Sequence, residues 1–347
     1  MGDVIHTLPV VDFLMKKYPH VQIDWLTSKK GYGILPLIKQ INKVYLLSLQ
    51  SLREIRKQRY DYVIDIQGLF KSAFLSRISH GKKIVGFKNT REFADVFYDL
   101  KIDVGNLFRT DKHIVDLNIK MISSLDFENS KCISSPFSEQ IENIKFLIPE
   151  IVEIDNKDVL NILNRKNKSS LKPLMLLFPS TTWKSKLWSM EYWFELMSKS
   201  SGSYNLCICG TKNDLESLNG LITNLKANEI QYENFLGKTN IKDLIYLIQN
   251  AELVLGMDSF GLHLASAIKN DFGSPDVFGI YGPTSPLRTG PYKHSANCLY
   301  LKELDCIGCR KKQCPLEHHN CMKKIVPEQV INFIQTKRIA DSVEHIG

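Results

Sequence analysis

Five short segments of this 347-residue chain set charged and hydroxyl side chains beside glycines, where an apolar run gives way to a helical pattern. Such junctions are where open α/β sheets bind ligands, because a strand end is rigid and the next helix offers unpaired N–H groups. The chain opens on one, Met1-Gly2-Asp3-Val4-Ile5-His6-Thr7-Leu8-Pro9, a glycine turn and a carboxylate with no strand before them. Asp3 could serve as a base toward a bound ligand, or only as a helix N-cap. In Phe178-Pro179-Ser180-Thr181-Thr182-Trp183-Lys184-Ser185-Lys186-Leu187-Trp188, the Thr181 and Thr182 hydroxyls and free N–H groups can hold a diphosphate. Lys186 can neutralise it, with Lys184 as the rival.

Three more junctions follow the same logic. Gly210-Thr211-Lys212-Asn213-Asp214-Leu215-Glu216 offers Asp214 or Glu216 to ribose hydroxyls. Gly256-Met257-Asp258-Ser259-Phe260-Gly261-Leu262-His263-Leu264-Ala265, followed by Tyr281-Gly282-Pro283-Thr284, reads as a helix N-terminus with small residues, where a backbone can approach a pyrophosphate. Asp258, Ser259, Gly261 and His263 are its candidates. Tyr62-Val63-Ile64-Asp65-Ile66-Gln67-Gly68-Leu69-Phe70-Lys71-Ser72-Ala73 is the remaining strand-turn-helix junction. No Gly-x-Gly-x-x-Gly fingerprint of a dinucleotide oxidoreductase occurs.

The eight cysteines divide into two kinds. Cys207 and Cys209 lie in an apolar run that reads as a buried strand, which suits a reducing compartment. Cys306, Cys309, Cys314 and Cys321 crowd one loop, where four thiols could hold structural zinc or an iron-sulfur cluster, form a disulfide, or stay unlinked. His318 or His319 could replace one of them as a ligand.

The elements that must position these residues alternate. Apolar runs at 21–26, 44–47, 62–66 and 83–86 are predicted strands, with helical stretches between them and a first helix from Val4 to about Tyr18. A polar, Asn- and Lys-rich stretch from about Ile151 breaks the pattern. The alternation resumes with strands at 174–178, 206–209, near Phe235, 253–256 and 277–281, and helices from Glu191, Asp214, Ile241 and Gly261. This predicts two doubly wound α/β domains, residues 1–150 and 151–326, and a last helix in 327–347 that could cross back to the first.

Composition narrows the partners. A hydrophobic fraction of 44% supplies two cores, and no apolar run is long enough to span a bilayer. The net charge is +8, and eleven Lys and Arg fall between Arg53 and Lys101. That excess suits an anionic partner: a phosphorylated sugar, an acidic membrane surface or nucleic acid. A metal-bound nucleic-acid-binding protein would use the basic charge and the cysteine loop, yet aromatic-basic interleaving around the cysteines is missing and the Asp258 to Thr284 stretch stays unexplained.

The Gly2-Asp3 opening, the 178–188 segment, the Asp258-Ser259-x-Gly261-x-His263 stretch with Gly282-Pro283-Thr284, and the Asp65-x-Gln67-Gly68-Leu69-x-Lys71-Ser72 segment resemble the lipopolysaccharide heptosyltransferases of glycosyltransferase family 9. The resemblance covers nearly the whole chain and is greatest toward the type I enzymes, with type II as the alternative. It departs at Phe260, where the family usually has glycine. It implies a GT-B fold of two Rossmann-like domains facing a central cleft, here with the first strand apparently missing and expected upstream of Met1. It also implies inverting transfer of heptose from ADP-heptose to Kdo on lipid A, at the cytoplasmic face of the inner membrane, with no nucleic acid and no cofactor needed for catalysis. Carried over to this chain, Asp3 is the base, Lys186 the diphosphate and sugar lysine, and Thr181 and Thr182 the phosphate contacts. Asp214 is the ribose ligand and Asp258 the holder of sugar hydroxyls, while Gln67, Lys71, Arg91 and His113 lie on the acceptor side.

Overall fold

A computed structural model describes residues 1–108, 111–129, 131–132, 143–168 and 172–344. Two compact units divide the chain, Asp3–Pro149 with Met1, and Glu150–Gly347 with Gly2. We call them unit 1 and unit 2. The strands, in chain order, are β1 (Asp24–Thr27), β2 (Lys43–Leu46), β3 (Tyr62–Asp65), β4 (Lys83–Phe87), β5 (Leu100–Ile102), β6 (Leu125–Asp126) and β7 (Lys131–Cys132) in unit 1. Unit 2 continues with β8 (Leu174–Phe178), β9 (Asn205–Gly210), β10 (Glu233–Leu236), β11 (Leu253–Met257), β12 (Asp276–Ile280) and β13 (Cys298–Leu299).

Unit 1 opens directly on the helix Gly2–Lys17. Ile5, Leu8, Val10, Val11, Phe13 and Leu14 are all buried, so this helix is enclosed on most of its circumference. Its buried Asp12 carboxylate is satisfied by the Lys16 ammonium at 2.7 Å and by the Lys145 N–H at 2.9 Å. The parallel strands form two pieces, β1–β2 and β3–β4–β5, and β6–β7 is a short antiparallel pair. No strand precedes the first helix among the described residues. Asp65 ends β3 and organises the turn after it. Its carboxylate accepts from the N–H groups of Gln67 and Gly68 and from the hydroxyls of Ser72 and Tyr98. Gly68 takes φ +66°, a left-handed conformation that glycine reaches without Cβ strain.

Unit 2 holds one six-stranded, wholly parallel sheet in the order β10-β9-β8-β11-β12-β13. The apolar runs are continuous because both faces are covered: every residue of β8 and of β11 is buried. Covering helices start where their sequences supply a cap. Ser189 accepts from the Tyr192 N–H to open Met190–Ser200, and Asn240 with Asp243 forms a capping box at the head of Ile241–Gln249. Helix Phe260–Phe272 ends on Gly273 at φ +82°. The last helix, Pro327–Glu344, packs on unit 2: Val330 and Ile334 join its core, and Arg338 donates to Asp276 and to the Tyr204 hydroxyl.

The chain runs outward from β8 to β10 and returns on the other side of β8 at β11, so the strand order reverses between β8 and β11. Open α/β sheets place their ligand crevice at such a reversal. Phe178, at the end of β8, packs on the backbone of the neighbouring segment, and a Cβ added at Gly261 would run into its ring. We therefore expect Gly261→Ala to destabilise unit 2 by about 1–3 kcal/mol. A urea-unfolding midpoint equal to that of the unmodified protein would show that the ring can move aside.

Candidate functional site

The loops that leave β8, β9, β11 and β12 at their carboxyl ends bring most of the expected donor-side residues together. Asp258 is the centre, buried to 5% exposure immediately after β11. Its Oδ2 accepts from the Lys186 ammonium at 2.6 Å and from the Thr284 hydroxyl at 2.7 Å, and its Oδ1 lies 3.0 Å from His263 Nε2. The Asp258 carbonyl accepts from the Thr181 hydroxyl at 3.2 Å. Residues up to 98 positions apart along the chain thus meet on one carboxylate. Burial on its own would raise the Asp258 pKa, but the His263 hydrogen bond and the charges of His263 and Lys186 outweigh it, so the carboxyl stays well below the usual range.

Lys186 and Lys184 are set apart by position. The Lys186 side chain is only 14% exposed, and its ammonium lies 4.5 Å from the centre of the Trp183 ring. Lys184 is exposed, as is Thr182. The residue between the two lysines, Ser185, is buried and held three ways. Its N–H donates to the Lys312 carbonyl at 3.2 Å, its hydroxyl donates to the Lys311 carbonyl at 2.6 Å, and its own carbonyl accepts from His319 Nε2 at 2.6 Å. The loop that carries the cysteines also grips the Gly282-Pro283 turn, through Gly308 N–H to the Gly282 carbonyl and Arg310 N–H to the Pro283 carbonyl. It therefore braces both segments that reach Asp258. Sequence reading attached no such role to it, since hydrogen bonds to loop carbonyls leave no mark in side-chain pattern.

The four loop cysteines, His318 and His319 border one small enclosed cavity beside Ser185 and Pro283. Burial first, and then the neighbouring Cys306, Cys309 and Cys314, push the Cys321 thiol up to about 11. Among the described residues no three His, Cys, Asp or Glu side chains stand in metal-holding geometry, and these cysteines form no disulfide. Cys207 and Cys209 lie buried in β9, as their apolar surroundings suggest.

The other candidates fall as follows. Asp214 is half-buried after β9, accepting from the Thr211 N–H at 2.7 Å, the Thr211 hydroxyl at 2.8 Å and the Ser180 hydroxyl, while Glu216 is exposed. Ser259 occupies the N-cap position of Phe260–Phe272. Gly261 is buried in that helix against Phe178. In unit 1, Asp3 is exposed in the first helical turn, and the N-cap position belongs to Met1. A carboxylate there is favoured by the helix dipole. Gln67 and Lys71 are exposed beside the Asp65-organised turn. Arg91 begins a 3-10 segment, Arg91–Phe97, and its side chain lies outside the described residues. His113 caps the helix Ile114–Ser123, its Nδ1 accepting from the Val115 N–H, and its ring meets His6 edge-on at 5.5 Å. Asp65 and His6 were not among the sequence candidates. A buried polar residue looks the same as an exposed one until its partners are known.

A parallel sheet with hydroxyls, a lysine and a helix N-terminus gathered at its reversal point is an open, doubly wound α/β unit, and with the first α/β unit the chain has the make-up of a two-domain α/β protein. Residues 49–320 match the profile of glycosyltransferase family 9 (heptosyltransferase), and the chain belongs to that family. It is 33% identical over 336 residues to a Campylobacter jejuni lipooligosaccharide heptosyltransferase 2, covering 95% of this chain and 93% of that protein. It is 24% identical over 374 residues to the Pseudomonas aeruginosa lipopolysaccharide heptosyltransferase 1, covering 99% and 94%. The crystal structure of a glycosyl transferase family 9 protein from Veillonella parvula superposes with TM-score 0.75 at 20% identity, over 97% of this chain and 94% of that one. The chain is a glycosyltransferase of the GT-B fold, and none of these comparisons supports a nucleic-acid-binding protein.

Two outcomes follow from the buried network. Lys186→Ala should weaken ADP binding and lower activity more than Lys184→Ala does, because only the former removes a charge fixed at the reversal point. Isothermal titration with ADP and single-turnover rates check the order, and a larger loss at Lys184 would reverse the assignment. Because Asp258 titrates lower in the folded chain than in the unfolded one, the stability it contributes is complete above the unfolded value of about 4 and is lost as the pH falls below it. Asp258→Asn should therefore flatten the acid side of a stability-against-pH curve between about pH 5 and about pH 2. An unchanged slope would mean that other carboxylates set it.

Proposed function

We propose that this chain transfers heptose, with inversion, from ADP-heptose to a Kdo residue of lipid A in the lipopolysaccharide inner core. The observation that carries the reading is Lys186 pinned to Asp258 beside Thr181 and Thr284, in a chain of the heptosyltransferase family. Asp3 takes the proton of the acceptor hydroxyl as that oxygen attacks the anomeric carbon. The bond from that carbon to the diphosphate oxygen breaks, and its electron pair leaves with ADP. Lys186, the Thr181 and Thr182 hydroxyls, Ser259 and the N-terminus of helix Phe260–Phe272 meet the charge that develops on the diphosphate. Asp258, whose oxygens are engaged by Lys186, Thr284 and His263, acts as a positioning residue for the lysine, and Asp214 binds the ribose.

Gln67, Lys71, Arg91 and His113 form the acceptor side, and the enzyme works at the cytoplasmic face of the inner membrane. No helix among the described residues is long and apolar enough to cross a membrane. The likeness to a Campylobacter jejuni heptosyltransferase 2 favours a second reading, in which the acceptor already carries one heptose. Purified protein with ADP-heptose, offered Kdo-lipid A and its singly heptosylated form in parallel, separates the two by which one releases ADP. Release with neither would refute both.

Asp3→Asn should leave ADP binding nearly intact and lower turnover by ~10² or more, since it removes a base and no donor contact. Turnover within a few-fold of normal would remove Asp3 from the chemistry. Chelator treatment should leave transfer unchanged, because the diphosphate charge is met here by Lys186, hydroxyls and N–H groups; activity lost to chelator and restored by magnesium would contradict this.

A further inference from the structure

Three tryptophans lie close together in the chain just after β8, and two of them are explained by packing. Trp188 and Trp193 are buried in the core of unit 2, their rings meeting edge-on at 5.2 Å. Trp183, in the segment that carries Lys186, is only half-buried and stands outside that core. Its ring has a different neighbour, the Lys186 ammonium.

Local geometry brings the two together. Trp183 occupies the N-cap position of the single 3-10 turn Lys184–Lys186, and the Lys186 N–H donates to the Trp183 carbonyl at 3.0 Å. Side chains three residues apart eclipse in a 3-10 turn, so this spacing stacks the indole and the lysine on one side. The 4.5 Å from ammonium to ring centre is within cation–π range. The turn is held from within, because Ser185 is bonded through its N–H, hydroxyl and carbonyl.

What the ring supplies differs from what a second carboxylate would. An ammonium carries three N–H donors, and Asp258 Oδ2 takes one of them at 2.6 Å. Another Asp or Glu would grip Lys186 as firmly, but it would cancel the charge and repel a diphosphate. An aromatic face attracts the cation through its quadrupole, shields one side from water and adds no negative charge.

We propose that Trp183 is a positioning residue for Lys186, its indole face holding the ammonium where the diphosphate of a nucleotide meets it. The inference rests on the proposed function in taking Lys186 as the donor lysine. Without the ring, the long lysine stem has to be ordered at the moment ADP binds, and that ordering opposes binding.

The test is isothermal titration of the full chain with ADP, comparing Trp183→Leu, Trp183→Phe, Lys186→Ala and the variant that combines Trp183→Leu with Lys186→Ala. Trp183→Leu keeps apolar bulk and removes the quadrupole, and should bind ADP about three- to tenfold more weakly, the equivalent of ordering one long side chain. Trp183→Phe still presents a ring face and should stay within about twofold of the unmodified chain. In the Lys186→Ala background, Trp183→Leu should have no further effect, which separates action through the lysine from direct contact with the nucleotide and from a packing role. Unchanged affinity in Trp183→Leu, or the same fold-loss with and without Lys186, would overturn the proposal. Undiminished ADP binding by Lys186→Ala would refute the donor reading and the proposal together, whereas a loss at Lys186 with none at Trp183 overturns the proposal alone.

Discussion

A carboxylate buried as deeply as Asp258 stays ionised only if cations and hydroxyls surround it, and that requirement governs the arrangement of unit 2. Its partners come from three different loops: Lys186 after β8, His263 from the helix after β11, and Thr284 after β12. Removing one of them would leave a charge in a poorly solvated place, which is far more costly than losing a surface ion pair. The ends of three strands are thereby locked together where the strand order of the sheet reverses. Lys186, a flexible side chain in isolation, becomes a fixed charge.

The supports of that network extend outward. Ser185 cannot drift, because its N–H, hydroxyl and carbonyl are each bonded to the loop from Lys311 to His319. Gly308 and Arg310, just ahead of that stretch, hold Gly282 and Pro283, just before Thr284. The cysteine loop thus braces the Lys186 and Thr284 segments through its backbone and His319. Further out, the Trp188 indole N–H donates to the Ile325 carbonyl at 2.7 Å, fastening the end of the lysine segment to the approach of the last helix. Unit 1 shows a parallel device on a smaller scale, where Asp65 gathers two N–H groups and two hydroxyls to shape the turn that carries Gln67 and Lys71.

Much of the architecture was legible from periodicity. Continuous apolar runs bounded by polar turns located β8, β9, β11 and β12 to within a residue or two, because the interior of a parallel strand covered on both faces is apolar. The helices from Glu191, Ile241 and Gly261 were equally plain, each having a cap or glycine at its head. The short strands β5, β6, β7 and β13 were missed, since two or three residues are too few to show a period. The two-piece sheet of unit 1 was also beyond pattern, for it depends on which strands pair.

For the site, residue types at strand ends together with the family resemblance singled out Asp258, His263, Thr181 and the two lysines, while Thr284 stood only within a quoted segment. Spacing does not distinguish Lys184 from Lys186, which differ by two residues in one loop; the fold anchors Ser185, sets Lys186 against the buried Asp258 and leaves Lys184 exposed. Nor could sequence separate Gly261 as a phosphate-facing residue from Gly261 as the space that Phe178 occupies. Asp65, His6 and the bracing role of the cysteine loop emerged only with the tertiary structure. The order of polar and apolar residues determined which segments end strands. Which of their side chains carry buried charge was decided by long-range partners, and hydrogen bonds between loops far apart in the chain leave no periodic trace.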